Sequence, residues 1–395
     1  MRVLLVSPSV KDRLYSLMPL AWALRTAGHE TQIAGRPGFT DTITMTGFVA
    51  VPVGGEGPAG HGPGTPGGPA AAGAGRTGPY GSDGTGGYGP GGADAYDDGG
   101  TGPYAGGPGT AYGAGGGEPY TSGGGGAYGV RGGAVLDDHA DVEGLLAHAA
   151  LWRPDLILWD GAAPAGAEAA AKAGAVSVCA AGPFDHDAPL GAAAVLDTLP
   201  PSLRRAEHAE RIPVRPVFYT GSAQLPAWLG RKVRRPRILV TGELSDAVFA
   251  GLLEAAAGVD AELVCDLGPD AQDRLPAGTR LPAHTRMLDT VPVAATLPTC
   301  AAVVHDGGAA LTAAAVAYGL PQYVTGAADG GRVSAVAGRA AAAGAALPPG
   351  TPDALRALLA DGGPRDGARA LAAEVAAMPS PRDAVPVLER LVAAR

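Results

Sequence analysis

Between Gly54 and Gly133 the chain carries 35 of its 64 glycines. Over the same stretch it has no Leu, Ile, Phe, Trp or Met, and one Val, Val130. Ordering a residue costs about 1–2 kcal/mol, and a segment so poor in apolar area has little burial to offset it. Residues 54–133 are therefore predicted to be a disordered insertion that contributes nothing to a core. Its tyrosines, Tyr80, Tyr88, Tyr96, Tyr104, Tyr112, Tyr120 and Tyr128, recur every eight residues, an octapeptide repeat of approximate form Tyr-Gly-x-Gly-Gly. Two readings stand: expansion of a GC-rich repeat into a flexible loop, or a Tyr-spaced interaction segment.

Outside this stretch the pattern is regular. Arg2–Ser7 reads as a buried strand, followed by a loop through Arg13, a helix over Leu14–Ala27 closed by Gly28, and strands at His29–Ala34 and Phe48–Val53. Pattern resumes near Val135, with a helix over Asp141–Trp152, a strand at Asp155–Trp159, a helix over Pro164–Ala173 and a strand at Ala175–Ala180. A Pro-rich passage, Pro200–Pro236, ends in a basic cluster, Arg231 to Arg237. A second alternation follows: strands at Arg237–Thr241, Ala261–Asp266, Ala301–His305 and Gln322–Thr325, with helices over Asp246–Ala256 and Gly308–Tyr318 and further helices to the end. The expectation is α/β, with two Rossmann-like, doubly wound domains facing a cleft. Residues 1–53 and 134–205 form the first domain, 206–236 the linker and 237–395 the second.

The net charge of −9 and pI near 5.4, with no basic stripe, argue against nucleic acid or an anionic membrane as partner. Cys179, Cys265 and Cys300 are odd in number and far apart. They suggest neither a disulfide framework nor a zinc site and fit a reducing cytoplasm. The apolar start Met1–Val6 is too short for a signal peptide, and no 18-residue apolar run suggests a membrane span. His186, between Asp185 and Asp187, reads as part of a polar loop, and no metal site is predicted.

The most informative segment is Ala301–Gln322, AAVVHDGGAALTAAAVAYGLPQ, where a strand ends in His-Asp-Gly-Gly and a helix begins at once. Unpaired N–H groups and the positive end of the helix dipole then meet at the strand end. Gly307 and Gly308 let an anion approach the backbone, and His305 is placed to donate to it, a phosphate-binding design. A tight glycine turn with a satisfied histidine is the alternative.

This segment resembles the donor-binding motif of actinomycete antibiotic glycosyltransferases, which attach deoxysugars to macrolides and other polyketides. Three further stretches resemble the same family: MPLAWALRTAGHETQIAGRPGFTDTITMTGFVAVPVG, WRPDLILWDGAAPAGAEAA and DTVPVAATLPTCAAVVH, with PPSLR at Pro200–Arg204. The resemblance implies the GT-B fold, an acceptor site in the first domain and a site for a dTDP- or UDP-sugar in the second. It also implies inversion at the anomeric carbon without a metal or other cofactor.

By the same resemblance the base position, a His in the family, holds Arg13, and the orienting carboxylate is Asp160. Arginine stays protonated and is no base, so Arg13 and Asp160 are expected to pair, with Asp12 as the nearby substitute if its pKa is raised. The family's His-His-Gly-Gly-Ala-Gly-Thr reads here His305, Asp306, Gly307, Gly308, Ala309, Ala310, Leu311, which puts Leu311 at the phosphate-capping Thr. The sugar-binding acid falls at Gly330, beside Asp329, the loop after the first strand of this domain is Thr241-Gly242-Glu243, and Val291 and Pro292 match the segment that holds the base of the nucleotide. The glycine-rich insertion stands where the family has acceptor-binding helices. Two functions follow: an inverting glycosyltransferase with a displaced or substrate-supplied base, or a non-catalytic relative acting as a binding protein or as partner of an active transferase or auxiliary protein.

Overall fold

The computed structural model describes residues 1–55, 139–183, 191–204, 210–221, 225–268, 273, 275, 281–288, 292–326 and 333–395. The glycine-rich insertion, apart from its first two residues, and the loop around His186 lie outside them.

Two parallel sheets carry the fold. The first has seven strands: β1 (Arg2–Val6), β2 (Glu30–Gly35), β3 (Val49–Pro52), β4 (Leu156–Asp160), β5 (Val176–Ala180), β6 (Ala194–Asp197) and β7 (Arg211–Pro213). They lie in the order β3-β2-β1-β4-β5-β6-β7. The helices of this half are α1 (Lys11–Thr26), α2 (Thr40–Thr44), α3 (His139–Trp152) and α4 (Ala165–Ala173). The second sheet has six strands, β8 (Arg237–Thr241), β9 (Glu262–Asp266), β10 (Thr285–Leu288), β11 (Ala302–His305), β12 (Gln322–Val324) and β13 (Ala346–Leu347), in the order β10-β9-β8-β11-β12-β13. With it come α5 (Asp246–Ala256), α6 (Val293–Thr296), α7 (Ala309–Ala317), α8 (Ala335–Ala342), α9 (Ala354–Leu359) and α10 (Pro364–Ala377), and α11 (Pro381–Ala393) ends the chain.

The central strands are short runs of Val, Leu and Ile because helices cover both faces of a parallel sheet. β1, β4 and β8 are buried along nearly their whole length. In each sheet the strand order reverses once, between β1 and β4 in the first and between β8 and β11 in the second. Loops leave these paired strands toward opposite sides, which opens a crevice at their carboxyl ends. Both candidate sites sit at these two points.

Three boundaries differ from the sequence expectation. Helix α1 begins at Lys11, so Arg13 lies in its first turn and not in the preceding loop. The passage expected to be linker from residue 206 instead supplies β7, whose Ile212 joins the first core together with Val214 just after it. The chain also returns: α11 packs against α1, and Ala384, Val385 and Leu388 are buried among Leu14, Leu17 and Met18. Residues 381–393 thus belong by packing to the first sheet, not to the second domain. A capping box, Ser380 with Asp383, starts this last helix just after Met378 leaves the second half's helical layer.

Candidate active site

At the first switch point, Arg13 on α1 faces Asp160, the last residue of β4. The Arg13 Nη1 donates to Asp160 Oδ1 at 2.5 Å, and the same oxygen accepts the N–H of Ala162 at 2.8 Å. Both residues are buried, 7% and 2% exposed. A guanidinium at that depth, held by a carboxylate, is a structural ion pair and takes no proton from a substrate. The strand that positions Asp160 is pressed close by α4, since Gly166 lies where any side chain would strike Trp159.

Asp12, one residue earlier, turns the other way. It lines a cavity of about 50 Å³ together with Ser16, Pro183, Thr198, the run Pro216–Thr220, and Ala310 and Ala313 of α7. The cavity therefore joins the first turn of α1 to the first turns of α7 and is walled mostly by apolar groups. Burial raises the Asp12 carboxyl to about 7, outweighing the opposing effect of Lys11. The wall segment Pro216–Thr220 had been expected to be linker. Its signal in the sequence was the apolar, aromatic run Val-Phe-Tyr inside a Pro-rich passage, and Tyr219 is fixed by edge contacts with Tyr15 and Trp22.

At the second switch point the strand–turn–helix expected at His305 is present, but its polar groups are spent differently. His305 is fully buried; its Nδ1 accepts the Gly307 N–H at 3.0 Å and its Nε2 lies 2.8 Å from Gln322 Oε1. With Nδ1 an acceptor, Nε2 carries the proton and donates to Gln322. Desolvation lowers the pKa of this imidazole, against Asp306 and Gln322, which favours the neutral form. Both ring nitrogens are thus used inside the protein. The expectation that His305 donates to a bound anion is corrected: it shapes the turn.

Asp306 occupies the mouth of the same turn. Its Oδ1 accepts the Gly308 N–H at 2.9 Å and its Oδ2 the Glu243 N–H at 3.0 Å, joining the loop after β8 to the start of α7. Gly242 has φ +97°, and a side chain there would meet the Asp306 carboxylate. Thr241, the last residue of β8, is 2% exposed behind this loop. Gly307 has φ +100° and packs against Val324 and Val333, so no other residue fits its place. Ala309, Ala310 and Leu311 open α7, and their N–H groups have no partner within the helix. Leu311 itself is 2% exposed and packs with Leu239, Val264 and Val303. The position counted as a phosphate cap is a core position, and the hydroxyl beside it, Thr312, donates to Gly308 O at 2.8 Å. Val291, Asp329 and Gly330 lie outside the described residues; Pro292 is the N-cap of α6. Among the described residues no group of His, Cys, Asp and Glu is arranged to hold a metal, and no helix is long and apolar enough to cross a membrane.

Comparison with known proteins places this architecture. Residues 250–391 match the family model described as erythromycin biosynthesis protein CIII-like, C-terminal domain. Tylactone mycaminosyltransferase of Streptomyces fradiae is 33% identical, the match covering 100% of this chain and 93% of the relative. For 10-deoxymethynolide desosaminyltransferase of Streptomyces venezuelae the identity is 31%, over 100% and 97%. Among solved structures, the glycosyltransferase SnogD from Streptomyces nogalater superposes with TM-score 0.68 at 25% identity, covering 99% of each chain. The glycosyltransferase VinC in complex with DTDP gives 0.69 at 23%, covering 100% of each. The chain has the GT-B fold and belongs to the family of actinomycete antibiotic glycosyltransferases.

Proposed function

We propose that this protein transfers a deoxyhexose from a thymidine- or uridine-diphosphate sugar to a hydroxyl of a polyketide-type natural product, with inversion, and that Asp12 takes the acceptor's proton. The relatives' names describe transfer of mycaminosyl, desosaminyl and rhodosaminyl groups to tylactone, 10-deoxymethynolide and aklavinone. The observation that carries the reading is the shared cavity: a carboxylate from α1 and the opening turns of α7 face one space. At about 50 Å³ it has room for a reacting hydroxyl and a few waters.

The acceptor oxygen attacks the anomeric carbon as that carbon's bond to the diphosphate breaks, and the hydroxyl proton passes to Asp12. A base with pKa near the working pH is matched to this task. The departing diphosphate is stabilised by the free N–H groups and dipole of α7. Arg13 and Asp160 keep the first turn of α1 in place. Nothing in the family relationship favours the alternative of a non-catalytic binding protein.

The test is turnover of dTDP- and UDP-deoxyhexoses with a panel of macrolide and anthracycline aglycones. Product formed by the wild type and lost in Asp12→Asn at unchanged fold is the expected result. Turnover that survives Asp12→Asn removes Asp12 from the mechanism, and no turnover across the panel removes the transferase reading.

A further inference from the structure

The basic cluster Arg231 to Arg237 is absorbed neither by the cleft nor by the proposed reaction. In the fold it lines a cavity of about 630 Å³ with Trp228, Val233, Glu262, His284 and Arg286. Six of the chain's 29 Lys and Arg residues converge there: Arg231, Lys232, Arg234, Arg235, Arg237 and Arg286. Among the described residues one acid, Glu262, lines the cavity, in a protein of net charge −9. Such a concentration of like charge opposes itself, so the scaffold must hold it.

The scaffold is visible. Arg237 is 3% exposed, pairs with Glu262 at 2.9 Å and donates to Thr299 Oγ1 at 2.5 Å. Arg286 pairs with the other oxygen of Glu262 at 2.5 Å. Both guanidiniums lie over the Trp228 ring, 4.8 and 5.0 Å from its centroid. His284 at the rim has φ 72°, a conformation that costs free energy and persists where surrounding structure holds it. Arg235 pairs with Asp260 at 2.6 Å. Arg231, Lys232 and Arg234 are exposed, and their side chains have no ion-pair or hydrogen-bond partner among the described residues.

Position separates this cavity from the cleft. Arg237, Glu262 and His284–Arg286 mark the amino ends of β8, β9 and β10, whereas Thr241 and His305 stand at carboxyl ends. The cavity lies on the opposite edge of the second sheet. Its volume falls within the range for small-ligand sites, and three free cations above a fixed guanidinium floor suit a chain of phosphates.

We propose that this cavity is a second anion site, which binds a polyphosphate group, free or carried by a nucleotide. The probe is inorganic tripolyphosphate, titrated calorimetrically into the full-length protein at about 0.15 M ionic strength, where exposed charges are already screened. Saturable one-to-one binding is expected, retained when Ala309→Asp adds a second carboxylate at the start of α7 and closes the donor cleft to anions. The triple variant Arg231→Ala/Lys232→Ala/Arg234→Ala, all at exposed positions, should keep its melting temperature and bind at least roughly tenfold more weakly. A parallel titration with ATP names the source: equal affinity points to the phosphate chain alone, tighter binding to a nucleotide. Absence of saturation in the wild type, unchanged affinity in the triple variant, or loss of binding on Ala309→Asp overturns the assignment. These readouts do not depend on transfer activity, so they fail separately from the proposed function.

Discussion

Two acidic side chains, Asp12 in the first turn of α1 and Asp160 at the end of β4, have opposite duties. Asp160 is locked to Arg13, and removing its charge takes the carboxylate away from a guanidinium that is only 7% exposed. Breaking a buried pair from one side costs about 3–5 kcal/mol. Asp160→Asn should therefore lower the melting temperature clearly, measured by calorimetry, before any effect on turnover is considered. A stable Asp160→Asn protein without activity would instead place Asp160 in the chemistry. Asp12 behaves differently with pH. Its carboxyl titrates near 3.8 when unperturbed and at about 7 in the fold. Between these values the folded state binds more protons than the unfolded one, so this group's contribution to stability declines as pH rises and is lowest above about 7. Asp12→Asn should then raise the melting temperature relative to wild type at pH 8 and not at pH 4, while turnover falls by about 10²–10⁴-fold. Wild-type activity should drop as pH falls below about 7, and a profile flat from pH 6 to 8 would exclude Asp12 as base. The identity of both acids was readable from the sequence. That Arg13 turns inward and Asp12 outward was not, because the start of α1 at Lys11 decides which face each residue occupies.

The junction of β11 with α7 was legible as a strand, a glycine turn and a helix. The use made of its polar groups was not. Asp306 accepts two N–H groups, one from the helix start and one from the loop after β8, that would otherwise face an incoming anion. A diphosphate entering here must displace that carboxylate and meets its charge. Replacing Asp306 by Ser should strengthen thymidine diphosphate binding, by roughly ten- to hundredfold if one charge-assisted hydrogen bond is recovered. Equal or weaker binding by isothermal titration would show that Asp306 helps the donor site. His305 and Leu311 carry a related lesson. His305 was assigned to the ligand by its place in a motif, and Leu311 was read as standing where a phosphate-capping Thr would be; both are buried in the fold, His305 against Gln322 and Leu311 against Leu239 and Val303. A local pattern gives the backbone path, but the partner across the sheet comes from a strand far away in sequence.

At the scale of the molecule, the described residues on either side of the glycine-rich insertion meet. Gly54, with φ +77°, abuts the buried Asp141, and Arg36 holds Asp141 at 2.9 Å. Deleting residues 55–132 removes no large aliphatic residue and leaves anchors that already meet. Closing a shorter loop costs little, since the entropy grows only with the logarithm of length. The deletion should leave the melting temperature nearly unchanged; a large loss of folded protein would show that the segment packs. Composition and periodicity were enough to establish two parallel α/β halves. Both signals are local, written in the spacing of apolar residues and glycines. The strand order, the return of α11 to the first sheet, the enlistment of Pro216–Thr220 as a cleft wall and the capture of Asp306 by a loop 63 residues away were decided by tertiary structure alone. Each depends on which distant surfaces meet when both cores close, and no window of sequence contains both sides of such a contact.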